Sequence, residues 1–294
     1  MFKIKRVLSA CIALIVMAGC GQSTPGGATG SSGGASAKSR TITIKGSDTM
    51  VILGQRWAET YMNHNPGVTV QVTGGGSGTG IAALINGGTD ICAASRPMKD
   101  KEREQAKAKE GKEVDEIPVA LDGLAVFLNE GNSLEELTVA QLEDIYTSKV
   151  TDWKELGAAA GKIVCYGREN SSGTYAYFKE HVLKNKDFAT EVQSLPGTAA
   201  IINAVSKDAR SIGYGGIGYA KGVKVIKVGN KADEKSIAPT MENVVSGAYP
   251  ISRKLYFYTM GQPSGEVKAF IDWTLSEEGQ KVCEQVGYYP VAKK

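Results

Sequence analysis

The stretch QVTGGGSGTGIAALINGGTD, residues 71–90, places glycine after glycine between an alternating apolar run and a run with helical spacing. Glycine adopts positive φ without strain and lets backbone N–H groups approach a partner closely. A strand that leads through such a loop into a helix presents N–H groups and the positive end of the helix dipole to an anion. We therefore predict an anion-binding loop at residues 74–78, with a plain strand-to-helix turn as the alternative.

The best-known glycine-rich motifs do not fit this loop. A nucleotide P-loop counted from Gly75 needs a lysine where Ile81 stands, because that lysine reaches the terminal phosphates. The dinucleotide fingerprint and the nucleophile elbow of hydrolases both need a glycine where Thr79 stands. The sequence therefore argues against a nucleotide-binding loop.

Strand-like and helix-like segments alternate on both sides of the loop, which is typical of an α/β protein. Before the loop, a short strand leads into a helix in which Leu53, Trp57 and Tyr61 recur every four residues. Farther along, Thr138 and Gln141 form a capping box that predicts another helix start. The fold class is therefore predicted to be α/β.

Two apolar segments are expected to cross between two lobes. The run IPVALDGLAVFLN, residues 117–129, is apolar apart from Asp122 and Gly123, as a segment between two domains would be. After a second α/β unit, PISRKLYFYTM, residues 250–260, runs back. We predict that residues 40–121 and 254–294 form lobe I and that residues 122–253 form lobe II.

The N-terminal residues have the features of a bacterial secretion signal, with a basic start and an apolar run too short to span a bilayer comfortably. Met17-Ala18-Gly19-Cys20 resembles the lipobox of bacterial lipoproteins. We predict a signal peptide at residues 1–19, a lipidated Cys20, and a flexible Gly/Ser tether at residues 20–39. The folded body is then expected in the periplasm or at the outer face of the cytoplasmic membrane, anchored by its lipid.

Composition excludes several classes of function. The signal carries three of the 34 basic residues and none of the 31 acidic ones, so the mature chain is formally neutral and nucleic-acid binding is disfavoured. The chain has two histidines, and the cysteines after Cys20 lack the short paired spacing of zinc sites. We expect no cofactor, no metal and no catalytic residues.

Two further segments repeat the pattern of a strand that ends in small polar residues before a helix. In YGRENSSGTYAYF, residues 166–178, Arg168 precedes a Ser-Ser-Gly-Thr helix start, and in KGSDTM, residues 45–50, Ser47-Asp48-Thr49 joins strand to helix. For either segment taken alone, an ordinary N-cap is the better explanation. Three such loops at strand ends, divided between two lobes, favour one anion site in the cleft.

Taken in order, GSDTM, GGGSGTG, ASRPM and GRENSSGT resemble the phosphate-binding protein of the bacterial phosphate-specific ABC transporter, and the likeness runs from about residue 40 to residue 291. The resemblance implies a type II periplasmic-binding-protein fold with phosphate in the cleft between the lobes. It also implies a monomer that is no enzyme and that delivers phosphate to ABC transporter permease subunits. Carried over, the phosphate-binding residues are Thr49, Met50, Ser77, Arg168, Ser172, Gly173 and Thr174.

One position departs from the pattern of the family. Where many relatives have an Ala-Ser-Asp whose carboxylate accepts the phosphate proton, this chain has Ala94-Ser95-Arg96. Asp48 is our candidate for the missing acceptor. Arg96 is expected either to add charge to the site, to pair with Asp48, or to be a surface residue, and Gly78 and Ser95 complete the secondary candidates.

Three other functions stay open at this point. A binding protein for sulfate or molybdate would use the same loops. A periplasmic phosphatase would need a nucleophile with a base or a metal, and the sequence shows no such arrangement. An adhesion or signalling lipoprotein would explain the anchor but not the three loops.

Overall fold

The computed structural model describes residues 40–159, 161–231 and 233–291. The predicted signal peptide, the tether and Cys20 lie outside these residues. Strands and helices alternate along the chain, which confirms the predicted α/β class. The strands are β1 (Arg40–Gly46), β2 (Val68–Thr73), β3 (Ile91–Ala94), β4 (Val114–Leu128), β5 (Glu136–Thr138), β6 (Val164–Arg168), β7 (Gln193–Leu195), β8 (Ser211–Gly216), β9 (Lys224–Val225), β10 (Lys227–Gly229) and β11 (Ser252–Met260).

Two of the helices below carry the sequence signals that predicted them, a buried stripe and a capping box. The helices are α1 (Val51–His64), α2 (Ser77–Ile85), α3 (Asp100–Glu110), α4 (Val139–Tyr146), α5 (Gly173–His181), α6 (Gly197–Lys207), α7 (Met241–Val245), α8 (Gly265–Thr274) and α9 (Glu277–Val286). Short 3-10 helices occupy Asp48–Met50, Trp153–Leu156 and Ile217–Tyr219. The stripe of Leu53, Trp57 and Tyr61 is buried on α1, and Thr138 with Gln141 forms the capping box of α4.

The strands form a mixed sheet with the order β2-β1-β3-β11-β4-β8-β6-β7, and β9 adds to β4. Strands β1, β2 and β3 are parallel, whereas β11 runs antiparallel to its neighbours β3 and β4. Strand β4 pairs with β11 as far as Gly123 and with β8 from Leu124 onward. The two segments predicted to cross between lobes are therefore β4 and β11, hydrogen-bonded to each other.

Two main hydrophobic clusters lie at either end of this sheet. We use lobe I for the part built on β1–β3, β11, α1–α3, α8 and α9, whose largest cluster includes Trp57, Phe257 and Phe270. Lobe II is the part built on β5–β10 and α4–α7, whose cluster includes Tyr146 and Phe178. Strand β4 belongs to both, and the boundaries predicted from the sequence stay a prediction.

Strands β1 and β3 are parallel and end at the same edge of lobe I. Strand β6 runs in the opposite direction, because it is parallel to β8 and β8 is antiparallel to β4, so its carboxyl end points back toward lobe I. The loops that were predicted from the sequence to bind an anion follow these ends and the end of β2.

A helix that crosses a membrane must be both long and apolar. None of the helices of residues 40–159, 161–231 and 233–291 has both the length and the apolar character that a span requires.

Candidate functional site

The loop after β1 and the glycine-rich loop after β2 are joined by direct hydrogen bonds. The N–H of Gly76 donates to the carbonyl oxygen of Gly46 at 2.9 Å. The N–H of Gly75 donates to Oδ1 of Asp48, also at 2.9 Å. Gly75 and Gly76 have φ values of 111° and 92°, a region that favours glycine, so the sequence GGG is what permits this approach.

Buried hydroxyl groups cluster where these loops meet the end of β3. Oγ of Ser47 donates to Oγ of Ser95 at 2.9 Å, and the N–H of Ser95 donates to Oγ of Ser77 at 3.0 Å. Oγ1 of Thr49, in lobe I, lies 2.8 Å from Oγ1 of Thr174, in lobe II. Oγ1 of Thr174 in turn lies 3.5 Å from Oγ of Ser95. These five side chains are at most 3% exposed, so their polar atoms are shielded from water.

Arg168, at the end of β6, supplies a buried positive charge from lobe II. Its Nη2 lies 2.7 Å from Oδ2 of Asp48, and its Nη1 donates to Oγ1 of Thr198 at 3.0 Å. Burial lowers the pKa of the guanidinium, and the carboxylate of Asp48 opposes that effect. Nε of Arg168 is buried and has no hydrogen-bond partner among the described residues.

The N-terminus of α5 comes within contact distance of lobe I. Oγ of Ser172 caps the helix by accepting the N–H groups of Thr174 at 3.1 Å and Tyr175 at 3.2 Å. A Cβ at Gly173 would overlap Oγ of Ser77 and would lie 2.7 Å from Oγ of Ser95. Only glycine at this position allows the helix start to approach the hydroxyl cluster so closely.

A backbone hydrogen bond links the two lobes beside this contact. The N–H of Gly78, in α2, donates to the carbonyl oxygen of Ser171 at 2.9 Å. A Cβ at Gly76 would lie 2.5 Å from the same carbonyl oxygen. The glycines of this loop therefore permit both its tight turn and the close contact between the lobes.

The structure brings together most of the residues predicted from the sequence, and it shows two of them in other roles. Ser172 uses its hydroxyl as a helix cap. The N–H of Met50 donates to the carbonyl oxygen of Ser47 at 2.9 Å, and the Met50 side chain is part of the lobe I core. Whether any of these residues contacts a ligand stays a prediction.

The prediction that Arg96 pairs with Asp48 is wrong. Arg96 instead forms a two-pronged ion pair with Glu102, with Nη1 and Nη2 at 2.8 and 2.7 Å from the two carboxylate oxygens. Glu102 is the third residue of α3 and its carboxylate also accepts the N–H of Lys99, so the helix start holds it next to Arg96. Asp48 is paired with Arg168.

Four residues that hold this region were not among the predicted site residues. Ser47 lies in one of the predicted loops, and Thr198 is the second residue of α6, shortly after β7; in both cases a small polar residue where a strand leads into a helix was the signal. The hydroxyl of Tyr219 donates to the carbonyl oxygen of Asp48 at 2.8 Å, and that of Tyr288 donates to the carbonyl oxygen of Thr49 at 2.6 Å. Burial raises the pKa of Tyr219 to about 12, so this hydroxyl stays protonated at neutral pH and can donate.

The arrangement suits an anion held by hydroxyl groups, helix N-termini and one guanidinium. In the part of the chain that the structure describes, no group of three or more histidine, cysteine, aspartate or glutamate side chains is placed to hold a metal ion. Each hydroxyl can donate to an anion oxygen, and the guanidinium offers directed N–H donors to the same ligand.

Comparisons with known proteins cover most of this chain. A family model for the PBP superfamily domain matches residues 29–278. Phosphate-binding protein PstS of Pseudomonas aeruginosa is 34% identical over 277 residues, which cover 88% of this chain and 86% of that protein. A Clostridium perfringens structure with bound phosphate, assigned to a phosphate ABC transporter substrate-binding protein, matches with a TM-score of 0.78 at 30% identity, covering 86% of this chain and 100% of that one. An ABC-type phosphate transport receptor from Vibrio cholerae matches with a TM-score of 0.68 at 30% identity. The match covers 85% of this chain and 100% of that one.

Proposed function

Because this chain belongs to the PBP superfamily, and within it to the phosphate-binding proteins of ABC importers, we propose that it binds inorganic phosphate between its lobes and delivers it to an ABC-type importer. The observation that carries the proposal is the meeting of Thr49 with Thr174, and of Asp48 with Arg168, across the two lobes. Both contacts join residues that the sequence had marked as parts of one anion site.

Capture of phosphate requires no covalent step. Open lobes expose the loops to water, phosphate bridges them, and the hydroxyl groups of Thr49 and Thr174 exchange their mutual hydrogen bond for bonds to phosphate oxygens. The closed form is favoured to the extent that it makes more contacts with the ion than the open form does. The importer then recognises the closed shape.

Phosphate and sulfate differ at neutral pH by the proton that HPO₄²⁻ carries. A buried carboxylate accepts a hydrogen bond from that proton, whereas sulfate has none to offer and two negative groups would face each other. We propose that Asp48 is this acceptor, since its carboxylate is fixed by the N–H of Gly75 and by Arg168 beside the hydroxyl cluster. The remaining ligand contacts are proposed for Thr49, Met50, Ser77, Arg168, Ser172, Gly173 and Thr174, with Gly78 and Ser95 next to them.

The location of the protein is proposed from its sequence. We place the body outside the cytoplasmic membrane as a monomer, anchored by a lipid on Cys20. A short anchor with a flexible tether would keep the binding body near its importer without restricting its orientation.

Calorimetric titration tests the proposed ligand. The protein without its N-terminal 39 residues is titrated with phosphate, sulfate, arsenate and molybdate in parallel. We expect tight, saturable binding of phosphate and of its isostere arsenate, and weak or no binding of sulfate and molybdate. Tight binding of sulfate or molybdate with no heat from phosphate would refute the proposal.

A further inference from the structure

A second buried ion pair lies where the two crossing strands meet. Asp122, on β4, is completely buried, and Arg253, opposite it on β11, is 6% exposed. Nε of Arg253 donates to Oδ2 of Asp122 at 2.9 Å, and Nη2 lies 2.7 Å from the same oxygen. A buried ion pair is weak support for stability, because desolvation of both charges offsets their attraction. The pair therefore calls for an explanation other than stability.

Arg253 reaches the hydroxyl cluster through the backbone of lobe I. Its Nη1 donates to the carbonyl oxygen of Ser95 at 3.2 Å. The N–H and the hydroxyl of Ser95 bond Ser77 and Ser47, as described above. Arg253 thus fixes the residue through which the end of β3 joins the cluster.

Asp122 reaches the same region through lobe II. Its Oδ1 accepts the N–H of Ile217 at 3.0 Å, at the start of the 3-10 helix Ile217–Tyr219. Tyr219, at the other end of that helix, donates to the carbonyl oxygen of Asp48. Hydrogen bonds and the short 3-10 helix between them therefore connect Ser95, through both crossing strands, to Asp48.

Arg253 also contacts α5, the helix that follows the Arg168 loop. The guanidinium of Arg253 lies over the ring of Tyr177, on α5, at 5.5 Å from the ring centre. The hydroxyl of Tyr177 donates to the carbonyl oxygen of Ser252 at 2.6 Å. Arg253 therefore contacts elements of both lobes.

We propose that Asp122 and Arg253 are positioning residues for the anion site, which hold the Ser95 backbone of lobe I and the Ile217–Tyr219 helix of lobe II in the arrangement that binds the ligand. This inference rests on the proposed function for its ligand. Neither side chain touches the anion. They act through Ser95 and Tyr219, so their loss weakens binding even in a protein that remains folded.

The first test replaces Asp122 by asparagine, which keeps the shape of the side chain and an oxygen for the Ile217 N–H but leaves the Arg253 charge unpaired. Phosphate affinity is measured by calorimetry at a temperature where the ligand-free variant is folded. We expect the Kd to rise about tenfold, as is usual when one member of a coupled network is removed. The matched control is Glu143→Gln, a buried carboxylate of α4 paired with Lys184 and Lys186, which is expected to lower stability and leave the Kd unchanged.

A second variant separates positioning from stability. In Asp122→Asn/Arg253→Gln no buried charge is left unpaired, so we expect unfolding stability to recover while phosphate affinity stays weak. Recovery of both, or a native Kd in folded Asp122→Asn, would overturn the proposal. If Asp122→Asn does not fold, Arg253→Lys takes its place, since lysine keeps the charge but cannot reach Asp122 and Ser95 together.

Amide hydrogen exchange of the ligand-free protein tests the positioning without phosphate. We expect Asp122→Asn to accelerate exchange at Ser95 relative to Glu143→Gln, because the unpaired Arg253 no longer fixes the Ser95 backbone, whereas Ile217 keeps its acceptor. Unchanged exchange at Ser95 would overturn the inference. A wild-type protein that binds no phosphate would instead overturn the proposed function, so the two failures are distinguishable.

Discussion

At the scale of single residues, Arg168 is the side chain on which the proposed site depends most. Its side chain is 1% exposed, and its guanidinium contacts two partners, Asp48 in lobe I and Thr198 in lobe II. Charge-assisted hydrogen bonds in such a shielded place are stronger than neutral ones. The buried Nε gives it a further donor that no described residue uses.

We predict that Arg168→Ala weakens phosphate binding by about 2–5 kcal/mol, because truncation removes the guanidinium donors and leaves Asp48 unpaired. Arg168→Lys should recover only part of the loss, since an ammonium cannot reproduce paired N–H donors. The phosphate Kd of both variants is measured by calorimetry, and circular dichroism verifies that both are folded. Native affinity in a folded Arg168→Ala protein would remove Arg168 from the site.

Asp48 sets selectivity in our proposal, and the asparagine variant tests this. The amide of Asp48→Asn can donate to sulfate as readily as to phosphate, so the preference for phosphate should fall by about 1–3 kcal/mol. Kd values for both anions are measured side by side. Asp90→Asn is the control, because Asp90 also accepts a backbone N–H in lobe I, that of Thr43. An unaltered ratio in Asp48→Asn would assign Asp48 a structural role only.

At the scale of elements, the start of α5 is where packing and function meet. Gly173 has no room for a side chain against Ser77 and Ser95, although alanine is the better helix former. Glycine at this position therefore allows the two lobes to come close together, and it does not stabilise the helix.

We predict that Gly173→Ala weakens phosphate binding by about 1–3 kcal/mol, the usual cost of overpacking, because its Cβ keeps the lobes apart. Small-angle scattering with saturating phosphate should show a less compact protein than the wild type. Gly88→Ala is the control, since a Cβ there meets one backbone oxygen, of Ala83, at 3.5 Å. Native affinity and compactness in Gly173→Ala would contradict this account of the glycine.

Most elements could be predicted from the sequence because their periodicity is strong. The α1 stripe and the α4 capping box lie on helices, as predicted, and the predicted family agrees with the comparisons. The three-residue strand β7 was not predicted, because so short a run shows no periodicity.

The candidate site was predictable only in part. Small polar residues where a strand leads into a helix identified the three loops, and the resemblance to the family selected Thr49, Ser77 and Thr174 within them. The structure brings these three residues together. The partner of Arg96 was not predictable, because it depends on how α3 packs. Tyr288 lies 239 residues from its partner Thr49, and no local pattern reveals such a pairing.

At the scale of the whole molecule, the N-terminal segment determines where binding takes place. We predict that Cys20→Ser moves the protein from the membrane fraction to the soluble fraction, because the lipid on Cys20 is its attachment. Immunoblots of separated fractions give the result, and phosphate affinity of the variant serves as the control, with no change expected. Retention in the membrane fraction would show that another segment anchors the protein.

Lobe I is built from two separate stretches of chain, and this has a consequence for synthesis. The 3-10 helix Asp48–Met50 is made early. Tyr288, which donates to Thr49, and Gly279, which accepts the indole N–H of Trp57, are made more than 200 residues later. Lobe II from β5 to α7 is contiguous and can fold as soon as it emerges. The hydrogen bonds that hold Thr49 and Trp57 can therefore form only after the C-terminal part of the chain has been made.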